Sequence, residues 1–191
     1  MRKFFINTAL LTSAAIIILS NQETEEVQKS TDSVMEMSAA DVTDRIPARL
    51  VETVDGDTIK VIVMGKIETV RYLLIDTPES KKPGMCVQPY AREAAIRNEQ
   101  LVKGGQLSLE LEQGNTKDSY GRLLAYVFAD GQSVQEQLLQ EGLARVAYII
   151  NPPYKYLQEY QSDERLAREH KRKIWSRARY VTSKGFRGCR M

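Results

Sequence analysis

Histidine and cysteine are scarce in this chain of 191 residues, which contains one histidine, His170, and two cysteines, Cys86 and Cys189. A zinc site assembled from several histidine and cysteine ligands needs more of them than the chain has. Hydrolytic sites that rely on a pair of histidines are excluded for the same reason. Any catalysis must therefore use carboxylates, arginine, lysine, tyrosine or hydroxyl groups, with or without a hard metal ion.

Glycine and proline are also limited, at 11 and 6 residues, which excludes a collagen-like or broadly low-complexity chain. The net charge of +2 conceals an uneven distribution. Residues 21–46 carry seven acidic and two basic side chains, whereas residues 165–191 carry ten basic side chains and one acidic one. The basic segment suits a polyanionic partner or an anionic surface, and the alternative is a solvated helix face followed by a disordered end.

The N-terminus has the pattern of an export signal. Two basic residues precede a mainly apolar run over residues 6–19, and this run is shorter than the roughly 20 residues of a membrane span. We expect residues 1–20 to be a signal peptide, with an uncleaved membrane anchor through residues 4–19 as the alternative, and the protein to be secreted or held at the cell surface. Residues 21–46 are polar and acidic, and we expect a flexible linker there.

Disulfide bonds are common in exported proteins, and a bond between Cys86 and Cys189 would tie the C-terminus to the loop after Glu79. The sequence leaves open whether the two cysteines pair or remain free.

The rest of the chain alternates short strands with helices. Apolar residues at every second position from Ile59 to Val63 predict a half-buried strand, and the run VRYLLI predicts a buried one. The other predicted elements are strands at 107–111, 123–129 and 144–150, helices at 90–103 and about 156–174, and a short helix opened by the capping box of Ser133 and Glu136. This order predicts an α+β fold, a five-stranded Greek-key barrel of the OB type with three packed helices, over residues 47–178, followed by a basic tail at 179–191.

Two acidic segments, DGDT at 55–58 and RYLLIDTPE at 71–79, stand where predicted strands begin or end. Burying an acid there is costly unless it is paired or bound to a metal. Asp57 and Asp76 would together form a hard-oxygen site for Ca²⁺, with a backbone carbonyl from Thr77. Glu79 follows closely enough to hold and deprotonate a water molecule.

Two arginines complete the pattern. Arg71 opens the second acidic segment and Arg122 follows Asp118 in a polar loop, so both could bind the oxygens of one phosphate group. Each feature alone has a structural alternative: Asp-Gly is a common turn, Asp-Thr-Pro-Glu is a common cap, and Arg122 could be a surface ion-pair partner. The combination of all of them is what indicates a phosphate-cleaving site.

In order and spacing these motifs resemble the staphylococcal nuclease, or thermonuclease, family. The matching stretches are VDGDTIKV, VRYLLIDTPES, KDSYGRLLAYVFADG, VQEQLLQEGLARVAY and KIWS, over about residues 48–176. The resemblance implies a five-stranded barrel with three helices that hydrolyses DNA and RNA with Ca²⁺ and leaves 3′-phosphate ends. It further implies a monomer that acts on nucleic acid, with single strands preferred.

The resemblance also implies roles for individual residues. The metal ligands would be Asp57, Asp76 and the carbonyl of Thr77. The groups acting on the phosphate would be Arg71, Arg122 and, as general base, Glu79. The residues contacting the nucleotide would be Tyr120 and Tyr148, and Asp55 would be an acid just outside the metal ligands. The sequence departs from the family at Ile150, where the family has a second tyrosine, and in the loop that contains Cys86.

Two other functions compete with nuclease activity. A barrel of this kind can bind nucleic acid or protein tails without cutting them, because fold does not determine function. A hydrolase of some other phosphodiester is the third alternative. A protein that only binds would be free to lose the acids or the arginines, and this chain keeps Asp57, Asp76, Glu79, Arg71 and Arg122.

Overall fold

The computed structural model describes residues 45–80, 84, 86–114, 116–150 and 152–189. The signal peptide or anchor expected at 1–20, and the linker expected at 21–46 except for its last two residues, lie outside this part of the chain. The strands are β1 Ile46–Asp55, β2 Thr58–Val63, β3 Lys66–Tyr72, β4 Ile75–Asp76, β5 Leu107–Glu110, β6 Leu123–Ala129, β7 Gln132–Ser133, β8 Arg145–Val146, β9 Val181–Thr182 and β10 Gly185–Phe186. The helices are α1 Ala91–Val102, α2 Val134–Gln140, α3 Leu157–Glu169 and a 3₁₀ helix, Lys173–Ser176.

Five strands form a closed barrel. The antiparallel order is β3-β2-β1-β5-β6, and parallel pairing of β3 with β6 closes the ring. Strand β1 belongs to both halves of the barrel, since Ala48 pairs with Val63 of β2 and with Leu107 of β5. Irregularities in the β1–β2 register let this long strand curve, as closure requires. The fold predicted from the sequence is therefore confirmed.

The interior of the barrel follows from the alternation in the sequence. Ile59 and Val61 are fully buried, and Lys60 between them is partly exposed. Strand β6 contributes an almost continuous buried run because α2 packs against it and Tyr160 of α3 contacts Tyr126. Helix α2 is attached to β6 by Gln135, a fully buried side chain that accepts from the amide of Val127 at 3.0 Å and donates to the carbonyl of Ala125 at 3.1 Å. This arrangement leaves both ends of the barrel strands available for polar side chains.

The helices begin near where the sequence predicts. Ser133 accepts a hydrogen bond from the amide of Glu136 at 3.2 Å, which caps α2. Helix α1 buries Asn98, whose amide donates to the carbonyl of Asp55 and accepts from the hydroxyl of Tyr72, both at 2.7 Å.

No helix in the described residues is long and apolar enough to cross a membrane.

The strand predicted over the run VRYLLI is divided into β3 and β4 by a turn at residues 73–74, where Leu74 takes a left-handed conformation (φ 63°). Three further predicted elements differ from the structure. The strand expected at 144–150 is limited to Arg145–Val146, because the amide of Ala147 turns to the carbonyl of Leu74 and Tyr148 takes a left-handed conformation (φ 59°). The helix expected at 156–174 ends at Glu169 and is followed by the 3₁₀ helix.

The third difference concerns the segment expected to be a basic tail, 179–191. Residues 181–186 form the antiparallel hairpin β9–β10, and Tyr180 just before it is 4% exposed. Cys86 and Cys189 form a disulfide bond, with their Cα atoms 5.5 Å apart, which answers the question left open by the sequence. The fold thus continues beyond residue 178, because this bond and the burial of Tyr180 hold the segment on the domain.

Candidate active site

Asp57 lies at the turn from β1 to β2. Its Oδ2 accepts hydrogen bonds from the amide of Thr77 at 2.9 Å and from the Thr77 hydroxyl at 3.0 Å, and its Oδ1 accepts from the hydroxyl of Thr58 at 3.0 Å. Gly56 makes this approach possible, because a β-carbon there would lie only 2.7 Å from Oγ1 of Thr77 and 2.8 Å from Cβ of Ala94. Asp57 and Thr77 therefore lie in direct contact.

Arg71 joins the two predicted metal-binding carboxylates. Its Nη2 lies 3.1 Å from Oδ2 of Asp57 and 3.3 Å from Oδ1 of Asp76. Its Nη1 donates to the carbonyls of Tyr72 at 3.0 Å and Ile75 at 2.9 Å, so the guanidinium holds the turn between β3 and β4 in place. All three charged side chains are about one-tenth exposed. The two aspartates thus reach the same nitrogen atom although they are 19 positions apart in the chain.

Arg145 is a second cation at this site, and the sequence patterns do not identify it. Strands β4 and β8 pair Asp76 directly with Arg145. Both Nε, at 3.1 Å, and Nη2, at 3.0 Å, contact Oδ2 of Asp76. The only signal in the sequence is an arginine within the otherwise apolar run GLARVAY, which is typical of a buried ion pair but does not reveal the partner.

Burial and neighbouring charges shift the pKa of Asp76 and the pKa of Arg71. Burial, and then the negative charge of Asp57, raise the pKa of Asp76 above its ordinary value, although Arg71 and Arg145 act in the opposite direction. Burial by itself lowers the pKa of Arg71, but the charges of Asp57 and Asp76 outweigh it and the net pKa is raised. Arg71 is therefore held in its charged form beside the two aspartates.

Tyr148 is another predicted residue at this cluster. Its hydroxyl donates to Oδ1 of Asp76 at 3.4 Å, and the Arg71 guanidinium lies 5.4 Å from the centre of its ring. Burial and the charge of Asp76 raise the pKa of the Tyr148 phenol. The ring is nevertheless 60% exposed, so one face is open to a ligand.

Arg122 and Tyr120 lie on the loop before β6 and pair with each other and with their own loop. Arg122 contacts Oδ2 of Asp118 through Nε at 2.7 Å, and its guanidinium lies 5.5 Å from the Tyr120 ring centre. Burial acts to raise the pKa of Asp118, but hydrogen bonds from Arg122 outweigh burial and lower this pKa. The β3–β6 pairing, which begins at Val70 and Leu123, places Arg122 beside the strand that carries Arg71. In the described part of the chain, the contacts of Arg122 are with its own loop and not with the aspartate pair.

Glu79 follows Asp76 by three residues and is held through its backbone. Its amide donates to Oε1 of Gln88 at 2.8 Å, and its carbonyl accepts from the amide of Gln88 at 3.0 Å. The next residue, Ser80, donates its hydroxyl to Oδ1 of Asp55 at 2.9 Å. Burial raises the pKa of Asp55, against the hydrogen bonds from Gly56 and Ser80. Gln88 is a second residue that the sequence patterns do not identify.

The donor set suits a hard cation that accepts protein and water ligands together. Within the described residues no group of three or more histidine, cysteine, aspartate or glutamate side chains could hold a metal ion. Asp57 and Asp76 would provide two carboxylates, and the adjoining Thr77 a carbonyl, as Ca²⁺ accepts in its coordination shell.

The structure is a closed five-stranded barrel of the OB type. Its polar site is a buried cluster of carboxylates and arginines, which lies where β2 begins and where β3 and β4 end. The chain belongs to the family described as staphylococcal nuclease homologue, whose model matches residues 69–177. This comparison confirms the family that the sequence motifs predict.

Similar proteins of known sequence extend the match. The chain is 59% identical to endonuclease YncB of Bacillus subtilis over 136 residues and 56% identical to the SPbeta prophage-derived endonuclease YokF of the same organism over 144 residues. These matches cover 71% and 75% of this chain but 64% and 49% of those proteins, so the chain spans less than two thirds of either. The thermonuclease of Staphylococcus hyicus is 35% identical over 87% of this chain and 95% of its own length.

Proposed function

We propose that this protein is an exported, Ca²⁺-dependent nuclease that hydrolyses phosphodiester bonds of DNA and RNA and leaves 3′-phosphate ends. The observation that supports it most is the contact of one Arg71 nitrogen with both Asp57 and Asp76, in a member of the staphylococcal nuclease family. Relatives named endonuclease and thermonuclease support the nucleic-acid substrate.

The binding of the metal would fall to three residues. Asp57 and Asp76 would provide carboxylate oxygens and Thr77 its carbonyl, while Thr58 and the Thr77 amide orient the Asp57 carboxylate through their hydrogen bonds. When bound, Ca²⁺ would reduce the cost of the negative charge that develops on the phosphate. Arg145 holds Asp76 from the opposite side and so fixes the direction in which its free lone pairs point.

The phosphate would be surrounded by positive charge from two arginines. Arg71 contributes the charge of a guanidinium that the aspartates hold in place. Arg122, which is about one-third exposed, can turn from Asp118 to a phosphate oxygen because both partners are accessible to solvent. Loss of such a preorganised charge-stabilising group costs about 2.7–4 kcal/mol in other hydrolases.

The proton transfer would be carried by Glu79. A water molecule held by its carboxylate attacks phosphorus and gives one proton to that carboxylate. The bond between phosphorus and the 5′ oxygen breaks, and the departing 5′ oxygen takes up a proton from solvent. The products are a 3′-phosphate and a 5′-hydroxyl. The half-exposed ring of Tyr148 and the exposed ring of Tyr120 would contact the nucleotide, and stacking of this kind favours single strands.

Export and monomeric state belong to the same proposal. The basic and apolar N-terminal pattern supports export, either released or held at the membrane through residues 4–19. The Cys86–Cys189 disulfide supports an oxidising destination. The proposal takes the protein to be a monomer, because the carboxylate–arginine cluster needs no second chain to complete its ion pairs.

The decisive experiment incubates the protein with single-stranded DNA and RNA oligonucleotides labelled at the 5′ end, with Ca²⁺ or with a chelator. We expect cleavage in Ca²⁺ and none in chelator. The mobility of the products should change after treatment with a 3′-phosphatase, and Glu79→Gln should show little turnover. Binding without cleavage in Ca²⁺ would instead support the binding-module alternative, and products resistant to the phosphatase would contradict the proposed bond cleavage.

A further inference from the structure

The C-terminal hairpin, defined as Val181–Phe186, lies at the edge of the candidate active site. A β-carbon at Gly185 would lie 3.9 Å from Oδ2 of Asp76, and the Arg145 guanidinium lies 5.8 Å from the ring centre of Phe186. The hairpin is closed by the hydrogen bond from the Thr182 hydroxyl to the carbonyl of Gly185 at 2.9 Å. It therefore belongs to the surroundings of the catalytic carboxylates and not to a separate surface.

Gln88 connects this hairpin to Glu79. The side chain is 4% exposed, its Oε1 accepts from the amide of Glu79, and its Nε2 donates to the carbonyl of Phe186 at 3.1 Å. Its own amide donates to the carbonyl of Glu79. One buried amide thus fixes the backbone of the proposed base to a strand almost a hundred residues later in the chain.

The disulfide lies next to this connection, with one cysteine near Gln88 and the other near Phe186 in the chain. Cys86 precedes Gln88 by two residues, and Cys189 follows Phe186 by three. Tyr180, at the start of the hairpin, donates its buried hydroxyl to the carbonyl of Pro89, next to Gln88. The segment 86–89 and the segment 180–189, which contains the hairpin, are therefore joined by the disulfide bond and by two hydrogen bonds that involve side chains.

We propose that the C-terminal hairpin, held by the Cys86–Cys189 disulfide, positions Glu79 through Gln88, and that Gln88 is a positioning residue for the reaction. The inference rests on the proposed role of Glu79 as base. A general base must lie within hydrogen-bond reach of the proton it removes, and a displacement of about 1 Å can reduce the rate on the order of 100-fold. Fixing both backbone groups of Glu79 limits such displacement.

Two substitutions at Gln88 separate its two connections. Gln88→Glu keeps an acceptor for the Glu79 amide but cannot donate to the carbonyl of Phe186, whereas Gln88→Met removes both side-chain hydrogen bonds at similar volume. The double variant Cys86→Ser/Cys189→Ser removes the covalent bond and leaves Gln88 intact. We expect kcat on single-stranded DNA to fall about 10-fold or more in Gln88→Met and in the double serine variant, and less in Gln88→Glu, with little change in KM.

A control distinguishes positioning from a general loss of stability. Val63→Ala shortens a buried side chain (5% exposed) at the β2–β3 turn, outside every proposed site residue, and should lower the melting temperature without lowering kcat at temperatures where the variant stays folded. As a second measurement that does not depend on folding of a variant, folded wild-type protein is treated with dithiothreitol, which is oxidised as the disulfide is reduced to two thiols. The kcat of the reduced wild-type protein should fall to that of the double serine variant. The reductant should leave the kcat of the double serine variant unchanged.

The background variant Glu79→Gln separates this inference from the function on which it rests. If Gln88 acts through Glu79, Gln88→Met should lower kcat much less in the Glu79→Gln background than in the wild type. Loss of turnover in Glu79→Gln, together with wild-type kcat in Gln88→Met, in the double serine variant and after reduction, would overturn the inference and leave the proposed function intact. Full turnover by Glu79→Gln would overturn both the inference and the proposed role of Glu79 as base.

Discussion

Arg145 and Arg71 approach Asp76 from different elements, and their contributions differ. Arg71 lies between two carboxylates, whereas Arg145 places two nitrogens on one oxygen of Asp76. Removing one partner of a buried ion pair is costly because it leaves a buried charge without compensation. These buried ion pairs thus contribute to the stability of the fold as well as forming the candidate catalytic site.

Replacing Arg145 by methionine should therefore destabilise the protein. We expect the free energy of unfolding at neutral pH to fall by roughly 3 kcal/mol, the lower end for a broken buried pair, because Arg71 still contacts Asp76. Urea denaturation measures the change. A second substitution, Asp76→Asn, should restore part of the loss by removing the uncompensated charge, and unchanged stability of Arg145→Met would contradict the assignment of the pair.

The residues at the candidate site fall into two groups, those that the sequence predicts and those that it does not. Asp57, Asp76 and Arg71 could be predicted because they stand in short motifs next to predicted strands, and the structure brings them together. Arg145 and Gln88 could not, because their contacts depend on the pairing of β4 with β8 and on the position of the C-terminal hairpin. Such long-range pairing leaves no local periodicity in the sequence.

At the scale of elements, the contact between α2 and α3 carries an excess of negative charge. Burial, followed by the charges of Asp163 and Glu159, raises the pKa of Glu136 above 4.5, and Arg45 only partly opposes this. A raised folded-state pKa means that this carboxyl supports stability fully at pH below its ordinary pKa and loses that support as the pH rises through the folded value.

Glu136→Gln should consequently stabilise the protein at neutral pH. The expected gain is about 0.5 kcal/mol, the scale of a partly screened charge interaction, and glutamine still suits the capping position. Thermal unfolding of both proteins across pH 4 to 8, roughly the range over which such a group titrates, measures it. The gain should vanish toward the acid end, and a variant less stable than wild type at neutral pH would contradict the charge argument.

Elements were predicted well where local pattern and tertiary contacts agree. Strand β6 has the predicted bounds and Ser133 caps α2 as predicted, whereas α1 is one residue shorter at each end than predicted. The run AYII was predicted as strand because of its apolar β-branched residues. The structure ends the strand earlier because Ala147 bonds to Leu74 and the chain turns at Tyr148, which places that tyrosine at Asp76.

At the scale of the whole molecule, positive charge is concentrated in the C-terminal part of the chain. The exposed cations are Arg165, Arg168, Lys171, Arg172, Lys173, Arg177, Arg179, Lys184 and Arg187. They lie on α3, the 3₁₀ helix and the hairpin that reaches the site, together with the short segments that flank these elements. A long nucleic acid held at the site would be attracted to this surface through its phosphates.

The triple variant Arg165→Gln/Lys171→Gln/Lys173→Gln tests this attraction. We expect weaker binding of single-stranded DNA and a smaller slope of log affinity against log salt, by roughly 0.7 for each phosphate that the variant no longer neutralises, with kcat unchanged. Fluorescence anisotropy in chelator, over a series of salt concentrations, measures the slope. An unchanged slope would show that these cations do not bind the nucleic acid.

The topology of the barrel was predictable from strand order and composition, since few folds combine five short strands with one intervening helix. The folded state of residues 179–189 was not, because a basic segment rich in exposed side chains resembles a solvated tail. What orders it is a disulfide to a loop 103 residues earlier and the burial of one tyrosine, neither of which the local sequence specifies.

The central claim is that Asp57 and Asp76 together hold one divalent cation. Calorimetric titration of Ca²⁺ into the full chain tests it most directly, with Asp57→Asn and Asp76→Asn as variants and Asp118→Asn as a matched control on the Arg122 loop. The account predicts one binding site in the wild type and in the control, and loss of that site in either of the other variants. Wild-type affinity in both Asp57→Asn and Asp76→Asn, or no binding by the wild type, would contradict it.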